Sequence, residues 1–237
     1  MPTELLLGAI ALLTSAVAGI LGFGGGMLLI AILPVFLHPA TVIPLHGITQ
    51  LTSNASRMLF SLKDVQWSLL PPFLIGSAVG IVLFGFLLAN LPTNLIPVAI
   101  GLYILLSLWS ERFSQWIKRY ENFYLIGGLQ TGLGLMVGAT GPLALSVLTK
   151  RLNNQNQIIA TSALLMAISH IAKILVFGYL GFSFAEHLET LLYLVTGAII
   201  GSWLGTRLRQ FVGNPHLIML IKLALSLLAI KMIMAVV

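Results

Sequence analysis

The stretch GILGFGGGMLLIAILP, Gly19 to Pro34, decides how the rest of the chain reads. A hydrophobic run enters it and a shorter one leaves it. Between them Gly22, Gly24, Gly25 and Gly26 fall within five residues. Glycine permits a sharp turn and leaves backbone amides uncovered. In a strongly apolar chain, a helix broken in this way is either a close-packing device or a binding place.

The apolar context is extreme. Of 237 residues 58% are hydrophobic and 8% charged, with a mean hydropathy of +1.04. From Leu5 to Ser56 there is no Asp, Glu, Lys or Arg. A helix needs roughly 20 apolar residues to cross a bilayer, so the composition predicts an all-α polytopic protein in the cell (inner or plasma) membrane, with the lipid bilayer as a partner. The start carries Glu4 and no basic region, so it is not read as a cleavable signal peptide. The absence of cysteine excludes disulfides and thiolate metal sites. No cofactor and no metal are expected. The net charge of +6 is assigned to loops at the membrane surface and not to nucleic acid. A homo-oligomer is left open.

Hydrophobic segments are expected at about 3–21, 26–37, 41–62, 67–89, 94–110, 122–137, 141–149, 156–180, 188–206 and 215–236. The polar stretch from Glu111 reads as an interfacial linker. Segments after it resemble those before it. A shift of 116 places Gly22 on Gly138, Gly25 on Gly141, Ser53 on Ser169 and Arg57 on Lys173. Ala16 and Ala18 fall on Gly132 and Gly134. Later a shift of 121 places Gly76 and Gly80 on Gly197 and Gly201. The division is therefore 1–110, first repeat; 111–121, cytoplasmic linker; 122–237, second repeat. Each repeat is expected to hold a Gly-rich helical hairpin and three transmembrane helices, about 8–10 helical segments in all.

Charge orients the two halves. With the linker in the cytoplasm, eight basic residues lie on inside loops: Lys63, Arg112, Lys118, Arg119, Lys150, Arg151, Arg207 and Arg209. The outside loops, 38–40, 90–94 and 182–189, contain no Lys or Arg. This is the positive-inside distribution. It inverts the halves relative to one another and places both termini outside.

The Gly-rich hairpin with GFGGG, the run LHGITQLTSNASR (Leu45 to Arg57) and the weaker second copy with GATGP (Gly138 to Pro142) resemble the TauE/SafE sulfite-exporter family of permeases. The resemblance implies movement of sulfite, organosulfonates or related sulfur-containing anions, often outward. The second copy departs from the first: SALLMAISHIAK stands where HGITQLTSNASR would be repeated.

Candidate site residues follow from spacing. His46, Gln50, Ser53, Asn54 and Arg57 make one stripe on a helix. In a bilayer that stripe must face protein or water. Ser169, His170 and Lys173 belong to the matching stripe of the second half. Arg57 and Lys173 are intramembrane cations with no carboxylate inside any expected helix, and a small anionic substrate would supply the missing charge. Gly24, Gly25, Gly26, Thr140 and Gly141 sit where amides at two helix starts would point at one spot. Competing readings are interhelical glue for the stripe, snorkelling for Arg57 and close crossing for the glycines.

An enzyme is not expected. Ser169 and His170 are adjacent on a helix and point apart, and neither G-x-S-x-G nor HExxH occurs. The sequence therefore predicts an anion exporter working by alternating access, with an importer or a proton-coupled permease for another oxyanion or a carboxylate as the alternative.

Overall fold

The computed structural model describes residues 3–90, 95–119, 122–209 and 215–234. These form eleven helices and no strand. In order they are α1 (Thr3–Leu21), α2 (Gly25–Ile32), α3 (Pro39–Leu59), α4 (Leu70–Ala89), α5 (Ile96–Trp109), α6 (Glu111–Arg119), α7 (Phe123–Val137), α8 (Gly141–Arg151), α9 (Gln155–Tyr179), α10 (Leu188–Leu208) and α11 (Pro215–Met234). Ten match the expected hydrophobic segments. The eleventh, α6, is the linker, which is helical and not merely polar. Its Phe113 packs on the core, while Glu111 and Arg112 are exposed. The outside loop at 91–94, the linker's Glu121, and 235–236 of the last segment lie outside the described residues.

Helix starts follow local chemistry. The Nδ1 of His38 accepts the Ala40 amide at 3.3 Å, and Pro39 opens α3. Asn122 caps α7 through Tyr124 at 2.8 Å, and Asn154 caps α9 through Asn156 at 2.9 Å. Each side-chain acceptor, a ring nitrogen or an amide oxygen, satisfies an amide that no intrahelical carbonyl can reach. Among the described residues four helical stretches are long and apolar enough to cross a membrane: Thr3–Leu21, Trp67–Leu88, Gln155–Tyr179 and Phe184–Leu208. Outward apolar side chains such as Val82, Phe86 and Leu227 are largely exposed, as a lipid-facing surface requires. The chain is an all-α polytopic membrane protein.

Apart from the linker helix α6, α2 and α8 are the shortest of the described helices. At about 1.5 Å per residue α2 rises about 12 Å and α8 about 16 Å, roughly half of the hydrocarbon layer. Both begin after a glycine with positive φ: Gly24 (87°) before α2 and Gly138 (79°) before α8. That backbone geometry favours glycine, because a Cβ there crowds the following carbonyl. The breaks therefore turn the chain within the protein and leave the starts of α2 and α8 inside it.

The tightest packing joins the halves. In α4, a Cβ on Gly76 would overlap the Tyr124 carbonyl of α7, and one on Gly80 the Gly128 carbonyl. In α10, a Cβ on Gly197 would overlap the Gly8 carbonyl of α1, and one on Gly201 the Leu12 carbonyl. These contacts correspond one to one: Gly8 and Leu12 become Tyr124 and Gly128 on adding 116, and Gly76 and Gly80 become Gly197 and Gly201 on adding 121. Small residues let the backbones close to contact, which is how membrane helices gain dispersion energy without a hydrophobic drive. The structure places these four glycines at close helix crossings.

Candidate functional site

A cavity lies between the starts of α2 and α8 and the polar stripes of α3 and α9. Eight pairs of its lining residues are separated by 116: Ala18 and Gly134, Gly22 and Gly138, Phe23 and Ala139, Gly24 and Thr140, Gly26 and Pro142, Gln50 and Met166, Asn54 and His170, Arg57 and Lys173. Met27, His46, Gly141 and Ser169 complete the wall. Its volume is about 30 Å³, room for about two waters. No acidic side chain lines it.

The two cations hold equivalent positions. Arg57 is buried, and its guanidinium donates to the Ala18 carbonyl at 2.6 Å and to Oδ1 of Asn54. Lys173 is equally buried, and its Nζ donates to the Gly138 carbonyl at 2.5 Å and to Nδ1 of His170 at 3.2 Å. Each cation thus bonds the residue three positions before it and a carbonyl at the C-terminal end of the preceding hairpin helix. That end carries the negative pole of the helix dipole. These carbonyls supply part of the compensation that the spacing argument assigned to an anion. Snorkelling does not describe Arg57, whose donors turn inward to α1.

The remaining stripe residues divide. His46 is fully buried with Nε2 2.9 Å from the Gly26 carbonyl. The rings of His46 and His170 meet edge to face at 5.7 Å. Gln50 turns its Oε1 towards Gly26, and its Nε2 has no protein partner. The Nε of Arg57 also has none. Two unpartnered donors therefore belong to side chains of the wall. Ser53 does not line the cavity: its hydroxyl lies 3.0 Å from that of Ser202 on α10, and Ser202 also donates to the Ser53 carbonyl at 3.0 Å. Ser53 is interhelical glue. Replacing Ser202 by alanine should cost about 0.5–1.5 kcal/mol of stability and leave anion affinity unchanged, as a thermal melt with and without sulfite would read.

The glycines divide as well. Gly24 and Gly26 line the wall at the start of α2, where first-turn amides have no intrahelical acceptor. Gly25 faces α1 instead, where a Cβ would overlap the Thr14 carbonyl. Thr140 and Gly141 start α8 on the opposite wall. The Thr140 hydroxyl donates to the Gln130 carbonyl at 2.7 Å. Ser169 bonds Thr131 at 3.0 Å and Gln130 at 3.2 Å.

Gln130 is the residue that spacing missed. It is fully buried on α7, with Oε1 accepting the Ala144 amide of α8 at 3.1 Å and Nε2 donating to Ser169 of α9. It ties three helices together behind the wall. Its signal was available, since Gln130 and Thr131 are paired polar residues amid an apolar run. A further arginine stands near the C-terminal end of α1: Arg209 donates to the Gly19 carbonyl at 2.9 Å. Burial lowers its pKa and nearby Asp64 raises it.

Among the described residues no cluster of His, Asp and Glu could hold a metal ion. No curated protein and no solved structure matches the chain. A family model does, over residues 7–232, and the chain belongs to the sulfite exporter TauE/SafE family.

Proposed function

We propose that this membrane transporter carries sulfite or a related small sulfur oxyanion, bound in the cavity between the hairpin tips, and releases it outward by alternating access. The observation that carries the reading is the pair of unpartnered donors, Nε of Arg57 and Nε2 of Gln50, on a wall that also holds Lys173 and no acid. Oxyanions accept hydrogen bonds and do not need carboxylates nearby. Arg offers a fork of donors suited to such a group.

The two carbonyl contacts suggest how binding and movement are linked. Arg57 holds the end of α1 and Lys173 the end of α7. An anion arriving between them competes with those carbonyls for the same donors. In this reading the tips separate to admit the anion and close over it. The 116-residue correspondence of the wall supports two repeats that play this part from opposite sides. The loop charges support their inversion, with the linker cytoplasmic and both termini outside.

Direction follows from the field. With the cell interior negative, each elementary charge leaving across 100 mV gains about 2.3 kcal/mol. Purified protein in liposomes loaded with labelled sulfite should release it faster than protein-free liposomes, and faster still when the interior is made negative. Release equal to that of empty liposomes, at every gradient, would overturn the proposal.

A further inference from the structure

His46 makes only half of the hydrogen bonds its ring allows. Its Nε2 faces the Gly26 carbonyl at 2.9 Å. A carbonyl only accepts, so Nε2 carries the hydrogen. In the neutral ring Nδ1 is then a bare acceptor, and no protein group donates to it although the residue is fully buried. It faces the opposite hairpin tip, 3.8 Å from where a Cβ on Gly138 would lie. His170 differs, because its Nδ1 is already taken by the Lys173 amine at 3.2 Å. Of the two rings in contact, His46 alone offers a vacant protonation position on the wall.

Its neighbours in the wall donate. The Nε of Arg57 and the Nε2 of Gln50 both lack partners. An oxyanion seated beside Gln50 and His46, one helical turn apart on α3, would accept from Nε2 of Gln50 and meet Nδ1 of His46 lone pair to lone pair. One hydrogen between the anion and the ring removes that conflict. We infer that the cavity takes its oxyanion together with one proton, shared between the anion and Nδ1 of His46. The inference rests on the proposed function and adds the proton to its substrate.

The proton balance is simple. When the anion arrives as a dianion, a proton from the aqueous phase bonds to Nδ1, and the resulting imidazolium donates to the anion's oxygen. On release that N–H bond breaks and the proton returns to water. When the anion arrives singly protonated, its own O–H donates to Nδ1 and nothing further is taken up. Either way the charge moved is one less than that of the dianion.

The surroundings allow the anion to hold this charge. From α9, His170 and Lys173 face His46; on α3 itself the nearest charge is Arg57, about three turns on. Helix α2 has no titratable side chain. On α7 the one such group is Tyr124, exposed at its start; on α8 they are Lys150 and Arg151, exposed at its end. Glu4 is exposed at the start of α1. None of these groups is an acid near the ring.

Calorimetric titration of the purified full chain with sodium sulfite tests this, at a pH where free sulfite is the dianion and in buffers of differing ionisation enthalpy. The dependence of heat on buffer gives the protons taken up: about one per sulfite for the wild type. His46→Gln should bind sulfite more weakly and take up none, and His170→Gln should retain the uptake. At a pH where free sulfite carries its own hydrogen, wild-type uptake should vanish. Zero uptake by the wild type at the higher pH overturns the inference without needing any variant to fold. Uptake that persists in His46→Gln overturns it as well, by moving the proton to another group. No sulfite heat at either pH overturns the proposed function itself, and the proton with it.

Discussion

Arg57→Ala should lower sulfite affinity on the order of 100-fold, since a hydrogen bond to a charged group contributes about 1.5–3 kcal/mol and the guanidinium is placed to offer more than one. The substitution also strips a donor from the Ala18 carbonyl and from Asn54, both buried. Some stability is therefore lost, and affinity must be read on the folded fraction. Arg57→Lys separates the two effects. A lysine can reach a carbonyl, as Lys173 does at the equivalent position, but lacks the planar fork. It should restore most of the stability and leave affinity about tenfold below wild type. Titrating sulfite into each variant while following the melting temperature checks both expectations. Wild-type affinity in Arg57→Ala would remove the cavity from the binding reaction.

Gly76→Ala should lower the melting temperature sharply in detergent, and Gly85→Ala should not. The two glycines lie on the same helix, nine positions apart. At Gly76 the new methyl would overlap the Tyr124 carbonyl, and backbone cannot step aside as a side chain can. Helices α4 and α7 must part, at a cost of about 1–3 kcal/mol or more for such overpacking. At Gly85 nothing lies within 4 Å, so the methyl meets open space and gains up to about 1 kcal/mol of helix propensity. Gly197→Ala should behave like Gly76→Ala, because it meets the Gly8 carbonyl in the corresponding contact. Melting followed by size-exclusion fluorescence would show the contrast. Equal melting of the Gly76 and Gly85 variants would mean the crossing is looser than described.

Much of this arrangement was legible in the residues. Apolar run length located the helices, because a bilayer sets their length. Of the pairs given by the offset of 116, Ala18 and Gly134, Gly22 and Gly138, and Arg57 and Lys173 line one cavity, whereas Gly25 and Ser53 lie off it. Spacing could not say which members of a stripe face the cavity. Ser53 and Asn54 are adjacent, yet Ser53 turns to Ser202 and Asn54 to Arg57. A rotation of about 100° per residue is enough to separate glue from wall. Nor could spacing distinguish Gly25, which packs on Thr14, from Gly24 and Gly26 beside it. Composition showed that the membrane cations lacked acidic partners, but not that helix-end carbonyls would take that place. Those partners are backbone atoms and leave no mark in a sequence.

The exchange of close contacts between halves also sets a timetable for synthesis. Helix α1 is made long before α10, and its Gly8 and Leu12 carbonyls meet their glycines only after about 190 further residues have been added. At about 5–20 residues per second, that wait is on the order of ten seconds or more. Until then lipid must cover the face that glycines of α10 will later occupy. Helix α1 packs on α2 and α3 early but on α10 late, and a chain stopped before α10 would leave that face unclasped.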